Sequence, residues 1–224
     1  MVPVITIDGP SGSGKGTIAR AVAGRLGWAL LDSGALYRLV ALAGRKRGLD
    51  LDDAPGLAHL ARGLEIRFGA TPGGAEQVWL GGEEVSEAIR SEAAGNDASR
   101  VAAIPAVRDA LLDRQRRFAA APGLVADGRD MGTVVFPTAG LKIFLIASAL
   151  ERAQRRYKQL MEKGLPASLH DLSQVIAERD RRDTTRAVAP LRASDDAVVI
   201  DSTGMTIDAV VARVMQLATE RLGV

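Results

Sequence analysis

The sequence of 224 residues contains no cysteine, only two histidines and few aromatic residues. The absence of cysteine excludes disulfide scaffolds, thiol catalysis and thiolate metal sites. His59 and His170 lie far apart with no second metal-binding side chain of that kind near either, which argues against a zinc enzyme. No apolar run approaches the roughly 20 residues of a membrane span, and no basic segment precedes an apolar stretch at the N-terminus. We therefore expect a cytoplasmic protein with no membrane partner.

The chain also lacks an excess of one charge, because 29 Lys and Arg residues face 27 Asp and Glu residues and leave a net charge of +2. The aromatic residues are scattered and form no stacking stripe, so we expect no nucleic-acid partner. The length corresponds to one or two domains. A chain of this size buries roughly 70% of its unfolded surface and needs no disulfide or metal to fold.

Short apolar segments alternate with helical ones along most of the chain. Val4–Asp8 is a β-branched run, and similar strand candidates lie at 28–31, 124–126, 141–147 and 198–200. Because helical patterns separate these strands, the sequence predicts an α/β fold with a parallel sheet and helices on both faces.

A region of different character lies between residues 64 and 103. Residues 64–70 and 77–80 alternate like strands on either side of a turn at 72–74, which predicts a small antiparallel insert. Helical sequence follows from about 86 to 103.

A glycine-rich loop follows the first strand and precedes the first helix. Its GxxxxGK spacing in this context predicts a nucleoside triphosphate site, because the backbone N–H groups and the helix N-terminus attract phosphate. The loop residues are Gly9, Pro10, Ser11, Gly12, Ser13, Gly14, Lys15, Gly16 and Thr17. Lys15 would lie near the β- and γ-phosphates. Gly16 occupies the position where the strict pattern has Ser or Thr, so Mg²⁺ would be held mostly by phosphates and water, helped by Thr17 or Asp127.

Polar side chains follow several predicted strands, where ligands of open α/β sheets bind. Arg38 lies one turn inside the helix after the second strand, and Asp127, Arg129 and Asp130 follow the strand at 124–126. A guanidinium at these places can hold a phosphate. An exposed arginine and an ordinary polar turn are the alternatives.

Two charged helices could also face a phosphate site. Arg179, Asp183 and Arg186 are spaced i, i+4 and i+7, which predicts one helix face. Arg152, with Arg155 or Arg156, is spaced one turn apart on a basic segment typical of a lid. The alternative for both is a solvated surface of salt bridges.

Six segments together resemble the bacterial cytidylate (CMP) kinases, a family of nucleoside monophosphate kinases. They are GPSGSGKGT, LLDSGALYR, VADGRDMGTVVFP, KIFLIAS, ERDRRDTTRAVAPL and VIDST, and the resemblance runs from Val4 to about Ile207. It implies a P-loop NTPase fold with an ATP-binding core (1–61, 104–147 and 164–224), a nucleotide-acceptor insert (62–103) and a short lid (148–163). It also implies roles for nine residues: Ser33, Ser99, Arg108, Asp130 and Arg186 at the pyrimidine, Arg179 and Asp183 at the ribose, and Arg38 and Arg129 at the acceptor phosphate.

The hydrogen-bonding pattern of cytosine suits this assignment. Asp130 can accept a hydrogen bond from N4, while Arg108 and Arg186 can donate to O2 and N3. Uracil reverses two of these partners, and an opposed buried hydrogen bond costs about 1–3 kcal/mol. The expected substrates are therefore CMP or dCMP, together with ATP, bound by a monomer.

The implied reaction is transfer of the γ-phosphoryl group from ATP to CMP or dCMP. The acceptor phosphate has a second pKa of about 6 and is already an anion, so no general base is required. Lys15, Mg²⁺, Arg129, Arg152 and Arg156 would neutralise the charge in transfer. A kinase of a sugar acid, a UMP- or AMP-preferring enzyme and a regulatory ATP-binding module remain alternatives. A GTPase is disfavoured because the sequence has no Asn-Lys-x-Asp element.

Overall fold

A computed structural model describes residues 2–71, 76–162 and 164–224, so the predicted turn at 72–74 lies outside the described residues. The strands among these residues are β1 (Val4–Asp8), β2 (Ala29–Asp32), β3 (Ile66–Ala70), β4 (Glu76–Leu80), β5 (Glu83–Glu84), β6 (Leu124–Gly128), β7 (Leu141–Ile146) and β8 (Val198–Asp201). The described part of the chain also forms the α-helices α1 (Lys15–Leu26), α2 (Ser33–Lys46), α3 (Ala54–Gly63), α4 (Glu92–Val101), α5 (Pro105–Arg116), α6 (Ala149–Glu162), α7 (Leu169–Thr185) and α8 (Ile207–Leu222).

The chain divides into two compact units. The first, which we call the sheet unit, comprises Met1–Asp32 and Arg116–Val224, and the second, the insert unit, comprises Ser33–Gln115. The predicted acceptor insert (62–103) falls within the insert unit, and the predicted lid (148–163) covers α6. The predicted bounds of the three functional domains stay predictions.

The sheet unit is built on five parallel strands in the order β2-β6-β1-β7-β8. Ile5 pairs with Val125 on one side and with Leu141 on the other, which places β1 in the interior of the sheet. The predicted parallel α/β sheet is therefore confirmed. Because all five strands run in the same direction, their C-terminal ends lie along one edge, where ligands of such sheets bind.

Helical structure covers both faces of the sheet at β1. Ile5 and Ile7 pack with apolar residues of α1 and α8, including Val22 and Val214, in one buried core. The alternate residues of β1 point to the opposite face. There they meet a single turn of π-helix, Met131–Val135, which we call the π-turn.

The insert unit combines helices with a small antiparallel sheet. Strands β3, β4 and β5 form that sheet, and Ile66 pairs with Leu80, so the predicted antiparallel pair is confirmed. The predicted helical stretch at 86–103 is interrupted. A 3₁₀ turn, Ala88–Arg90, ends at Ser91, whose hydroxyl then accepts a hydrogen bond from the N–H of Ala94 (3.1 Å) and begins α4.

None of the helices among the described residues is both long and apolar enough to cross a membrane. The cytoplasmic location expected from the sequence stays a prediction.

Candidate active site

The glycine-rich loop depends on glycine at three of its positions. Gly12 and Gly14 have φ angles of +78° and +91°, which L side chains rarely adopt. A Cβ on Gly9 would lie 2.1 Å from the carbonyl oxygen of Leu145 on β7, so the loop leaves β1 closer to the neighbouring strand than a side chain allows. These glycines let the backbone pass from β1 to α1 in a tight curve.

Lys15 is the first residue of α1, and its ammonium group lies against the loop. The side chain is buried, and Nζ donates a hydrogen bond to the carbonyl oxygen of Pro10 at 3.1 Å. Burial and the positive charges of Arg129 and Arg179 lower the pKa of Lys15 to about 7, although Asp127 opposes this shift. A bound polyanion would stabilise the charged form of Lys15, because it places negative charge beside the buried ammonium group.

Asp127 lies beside the first turn of α1. A Cβ on Gly16 would come within 3.0 Å of the Asp127 Oδ2 atom, so the carboxylate occupies space that a Ser or Thr at this position would need. Thr17 follows directly and carries a hydroxyl at an exposed position. Carboxylate and hydroxyl oxygens suit Mg²⁺, which keeps several ligands from water and phosphate. Within the described residues no group of three Asp, Glu or His side chains could hold a metal ion.

Two arginines of α6 hold carbonyl groups of the loop. Arg152 Nη1 donates to the Ser11 oxygen at 2.9 Å, and Arg155 Nη1 donates to the Ser13 oxygen at 3.2 Å. The two carbonyls are therefore turned towards α6, which keeps the intervening loop backbone in one conformation. In the sequence analysis Arg155 was only an alternative to Arg156, with no role assigned to it.

Arg152 and Arg155 are themselves fixed by other segments. Arg152 forms a two-pronged pair with Asp180 of α7, at 3.0 and 2.6 Å. Arg155 donates to the Ser202 carbonyl oxygen at 2.6 Å, and the Ser202 hydroxyl lies 3.3 Å from the Ser13 oxygen. Sequence reasoning missed Asp180 and Ser202. For Ser202 the one available signal was its position just after the C-terminal end of β8, where ligands of such sheets bind.

Arg156 makes different contacts from Arg152 and Arg155. Its guanidinium donates to Gln159 on the same helix at 3.2 Å. Its predicted role in phosphoryl transfer stays a prediction.

Four residues predicted to contact the acceptor nucleotide form two ion pairs in the sheet unit. Arg129 Nε lies 2.9 Å from Asp183 Oδ2, and Arg186 Nη2 lies 3.8 Å from Asp130 Oδ1. Burial alone would lower the pKa of Arg129, but the charge and hydrogen bond of Asp183 outweigh it and raise the pKa. The predicted helical position of Arg186 was wrong: α7 ends at Thr185, and Arg186 has an extended backbone.

Arg179 lies on α7, one turn before Asp183. It is half-buried and close enough to Lys15 to lower the pKa of the ammonium group. The sheet unit thus brings together the loop, Asp127 and the charged residues of α6 and α7, and their individual roles stay predictions.

The remaining predicted residues belong to the insert unit. The Ser33 hydroxyl donates to Gln115 Oε1 at 2.8 Å. Arg108 donates to the Ala102 oxygen at 3.2 Å, and its guanidinium lies over the Tyr37 ring, 5.7 Å from the ring centre. Ser99 is buried on α4, and Arg38 is half-buried on α2. Their roles also stay predictions.

Comparison with known proteins gives a consistent assignment. The family model described as Cytidylate kinase matches residues 5–220. A cytidylate kinase from Stutzerimonas stutzeri (strain A1501) is 58% identical over 98% of this chain and 96% of its own length. One from Pseudomonas fluorescens (strain Pf0-1) is 60% identical, with coverages of 96% and 94%.

A solved structure supports the fold. An uncharacterized protein from Eubacterium ventriosum ATCC 27560 is only 11% identical, but it superposes with a TM-score of 0.50 over 98% of this chain and 99% of its own. At that identity the likeness concerns the fold alone. On the family match and the two relatives, the chain belongs to the cytidylate kinase family.

Proposed function

We propose that the protein transfers the γ-phosphoryl group of ATP to CMP or dCMP by positioning and charge neutralisation. As a member of the cytidylate kinase family it is an ATP-dependent nucleoside monophosphate kinase. The main support for the proposed mechanism is the environment of Lys15. Its ammonium group is buried at the loop beside two guanidinium groups that lower its pKa, an arrangement that a polyphosphate stabilises.

The reaction requires no proton abstraction by the protein. An oxygen of the acceptor phosphate forms a bond to the γ-phosphorus of ATP while the bond to the β,γ-bridging oxygen breaks. The electron pair of the broken bond stays on the β-phosphate of ADP. Because the acceptor phosphate is already ionised at neutral pH, it is a nucleophile without a general base.

The positive groups of the sheet unit reduce the repulsion between the two anionic nucleotides. We assign this role to Lys15, Arg129, Arg152 and Arg156. Asp183 pairs with Arg129, and Asp180 pairs with Arg152. Bound phosphates would take over part of these contacts, because guanidinium groups bind carboxylate and phosphate with the same fork geometry.

Mg²⁺ fits the oxygen atoms near the loop, and we assign Thr17 and Asp127 as its protein contacts, directly or through water. When bound, the ion would reduce the negative charge of the nucleotide phosphates. Asp127 holds its carboxylate against Gly16, and Thr17 extends from the next position of α1. Because Gly16 has no side chain, nothing at that position crowds the Asp127 carboxylate.

Acceptor recognition depends on Asp130 and Arg186 in the sheet unit. This buried pair combines an accepting carboxylate with a donating guanidinium, the two kinds of partner that cytosine N4 and N3 require. Arg179 and Asp183 keep their predicted role at the ribose. The insert-unit residues keep theirs: Ser33, Ser99 and Arg108 at the pyrimidine and Arg38 at the phosphate. We further expect a monomer without a nucleic-acid partner.

A coupled assay of ADP release tests the proposed activity. The purified protein is supplied with ATP, Mg²⁺ and one acceptor at a time: CMP, dCMP, UMP or AMP. CMP and dCMP should be the preferred acceptors, and little ADP should form with ATP alone. Equal rates with all four acceptors would contradict the assignment of the pyrimidine-reading residues, and ADP release that ignores the acceptor would contradict a kinase.

A further inference from the structure

A buried acid stands between the phosphate loop and the segment that carries Arg129 and Asp130. Asp8 is the last residue of β1, directly before Gly9, and it is almost fully buried. Its Oδ1 atom accepts a hydrogen bond from the N–H of Met131, and its Oδ2 atom accepts one from the N–H of Gly132, both at 2.8 Å. Both oxygens of one side chain therefore hold the start of the π-turn.

The π-turn fixes the chain immediately after Asp130. The carbonyl oxygen of Asp130 accepts hydrogen bonds from the N–H groups of Val134 (2.9 Å) and Val135 (3.2 Å). On the other side, Arg129 follows Gly128, the last residue of β6, which pairs with Asp8. Arg129 and Asp130 thus lie between two backbone anchors, and both anchors involve Asp8.

Retaining this acid is unfavourable for the fold. Burial, with a smaller contribution from the negative charges of Asp130 and Asp127, raises the pKa of Asp8 to about 7, although its two backbone hydrogen bonds partly oppose the shift. Perturbed acids of this kind concentrate at functional sites, where position matters more than stability. The mechanism above makes no use of Asp8.

We propose that Asp8 is a positioning residue of the acceptor site, which holds the π-turn so that Arg129 and Asp130 keep their place relative to the phosphate loop. This inference rests on the proposed function for the roles of Arg129 and Asp130. Asp8 itself would not contact the nucleotide. It acts through the backbone of residues 131 and 132.

The geometry requires a carboxylate at this position. Two N–H groups approach two different oxygens, and a carboxylate can accept at both. An asparagine of the same shape has one oxygen and one NH₂ group, so one of the two N–H groups would face another donor. Asp8→Asn therefore removes one buried hydrogen bond and opposes two donors, with little change in volume.

Thr6 provides a matched control on the same strand and face. It is fully buried, and its hydroxyl has no hydrogen-bond partner among the described residues. Thr6→Val keeps the shape and removes only that hydroxyl. It should leave the kinetics unchanged.

The kinetic experiment measures KM for CMP and for ATP separately, in protein shown by circular dichroism to be folded. For Asp8→Asn we expect KM for CMP to rise about tenfold or more, from the loss of a buried charged hydrogen bond, and KM for ATP to change less than about threefold. Gly132→Ala tests the same contact at the residue that donates to Asp8 Oδ2. Its Cβ would lie 2.9 Å from Thr6 Oγ1 and 3.4 Å from Asp8 Oδ2, so it should displace the π-turn and give the same selective effect.

A second measurement does not depend on activity. Amide hydrogen exchange followed by mass spectrometry should be faster in Asp8→Asn for peptides covering 129–135 and unchanged for those covering the helix α8. If the wild-type protein phosphorylates no CMP while this exchange still accelerates, the proposed function fails and the positioning contact holds. Unchanged exchange, or equal increases in both KM values for Asp8→Asn and Gly132→Ala, overturns the inference.

Discussion

The environment of Lys15 predicts that ATP binding weakens as the pH rises above 7. In the free protein the pKa of Lys15 is lowered to about 7, first by burial and then by Arg129 and Arg179. The phosphates of ATP add negative charge beside the ammonium group and raise its pKa again. Binding is then coupled to the uptake of one proton, and ATP affinity must fall as that proton becomes scarce.

The magnitude follows from linkage. Between the free and the bound pKa, each pH unit changes the binding constant tenfold, or about 1.4 kcal/mol. If bound ATP restores the ordinary lysine pKa of 10.5, the dissociation constant should increase about twentyfold between pH 7.5 and 9. Titration of the phosphates contributes little in this range, because their second pKa is about 6.

The stability of the ligand-free protein should change in the opposite direction. The ordinary lysine pKa is 10.5, so between pH 7 and 10.5 the unfolded chain binds the proton that the folded protein has released. The contribution of Lys15 to the free energy of unfolding therefore increases with pH in this window. The sign can be checked as the difference in melting temperature between the wild-type protein and Lys15→Met across the same pH values.

Isothermal titration calorimetry with a non-hydrolysable ATP analogue and Mg²⁺ measures the coupling directly. Near pH 8, the apparent enthalpy should vary with the ionisation enthalpy of the buffer, with a slope approaching one proton taken up. Lys15→Met should bind the analogue more weakly, show no such slope and lose the pH dependence. An affinity of the wild-type protein that stays constant from pH 7.5 to 9 would refute the reasoning.

Three substitutions test other contacts of the site. Arg155→Met should raise KM for ATP up to about thirtyfold in initial-rate assays, because it removes two hydrogen bonds of about 1 kcal/mol each, to Ser13 and Ser202. The exposed Arg213→Met should leave KM unchanged, and equal effects of the two substitutions would contradict the loop-holding role. Asp127→Asn should increase the free Mg²⁺ concentration needed for half the maximal rate about tenfold, and an unchanged value would argue against Asp127 as a metal contact. Asp130→Asn should lower the ratio of kcat/KM for CMP over UMP about tenfold, because the amide can donate to uracil O4; an unchanged ratio would remove Asp130 from the pyrimidine site.

The sheet was predictable because its strands carry a strong local pattern. Val4–Asp8 has the predicted bounds, since a β-branched run buried on both faces leaves little choice of structure. Strand β6 continues to Gly128, two residues beyond the predicted 124–126. Neither the polar Asp127 nor the flexible Gly128 favours a strand by itself. Both are extended because they pair with Ile7 and Asp8 of β1.

Two helical segments were not predicted, for different reasons. Helix α3 has a clear start signal, because Asp53 accepts a hydrogen bond from the N–H of Gly56 (3.0 Å) and Pro55 lies in the first turn. That signal could have been used. The π-turn has no local signal, because its first N–H groups bond to Asp8, more than 120 residues earlier in the chain.

The phosphate loop was predictable from spacing alone, whereas the residues that hold it were not. GxxxxGK between a strand and a helix defines the loop within nine consecutive residues. Arg155 contacts Ser13 across 142 residues of sequence and Ser202 across 47. Each of these side chains resembles an ordinary surface residue until the fold brings them together.

The pairing of arginines with carboxylates makes it possible to bury guanidinium groups at the site. Arg129 and Arg152 are largely buried, and a buried guanidinium without a partner costs several kcal/mol. Asp183 and Asp180 offset much of that cost. A phosphate that displaces either carboxylate replaces one anion by another with similar geometry, so the exchange is nearly balanced. A nucleoside without phosphate offers no such replacement, and the same pairs would therefore select against it.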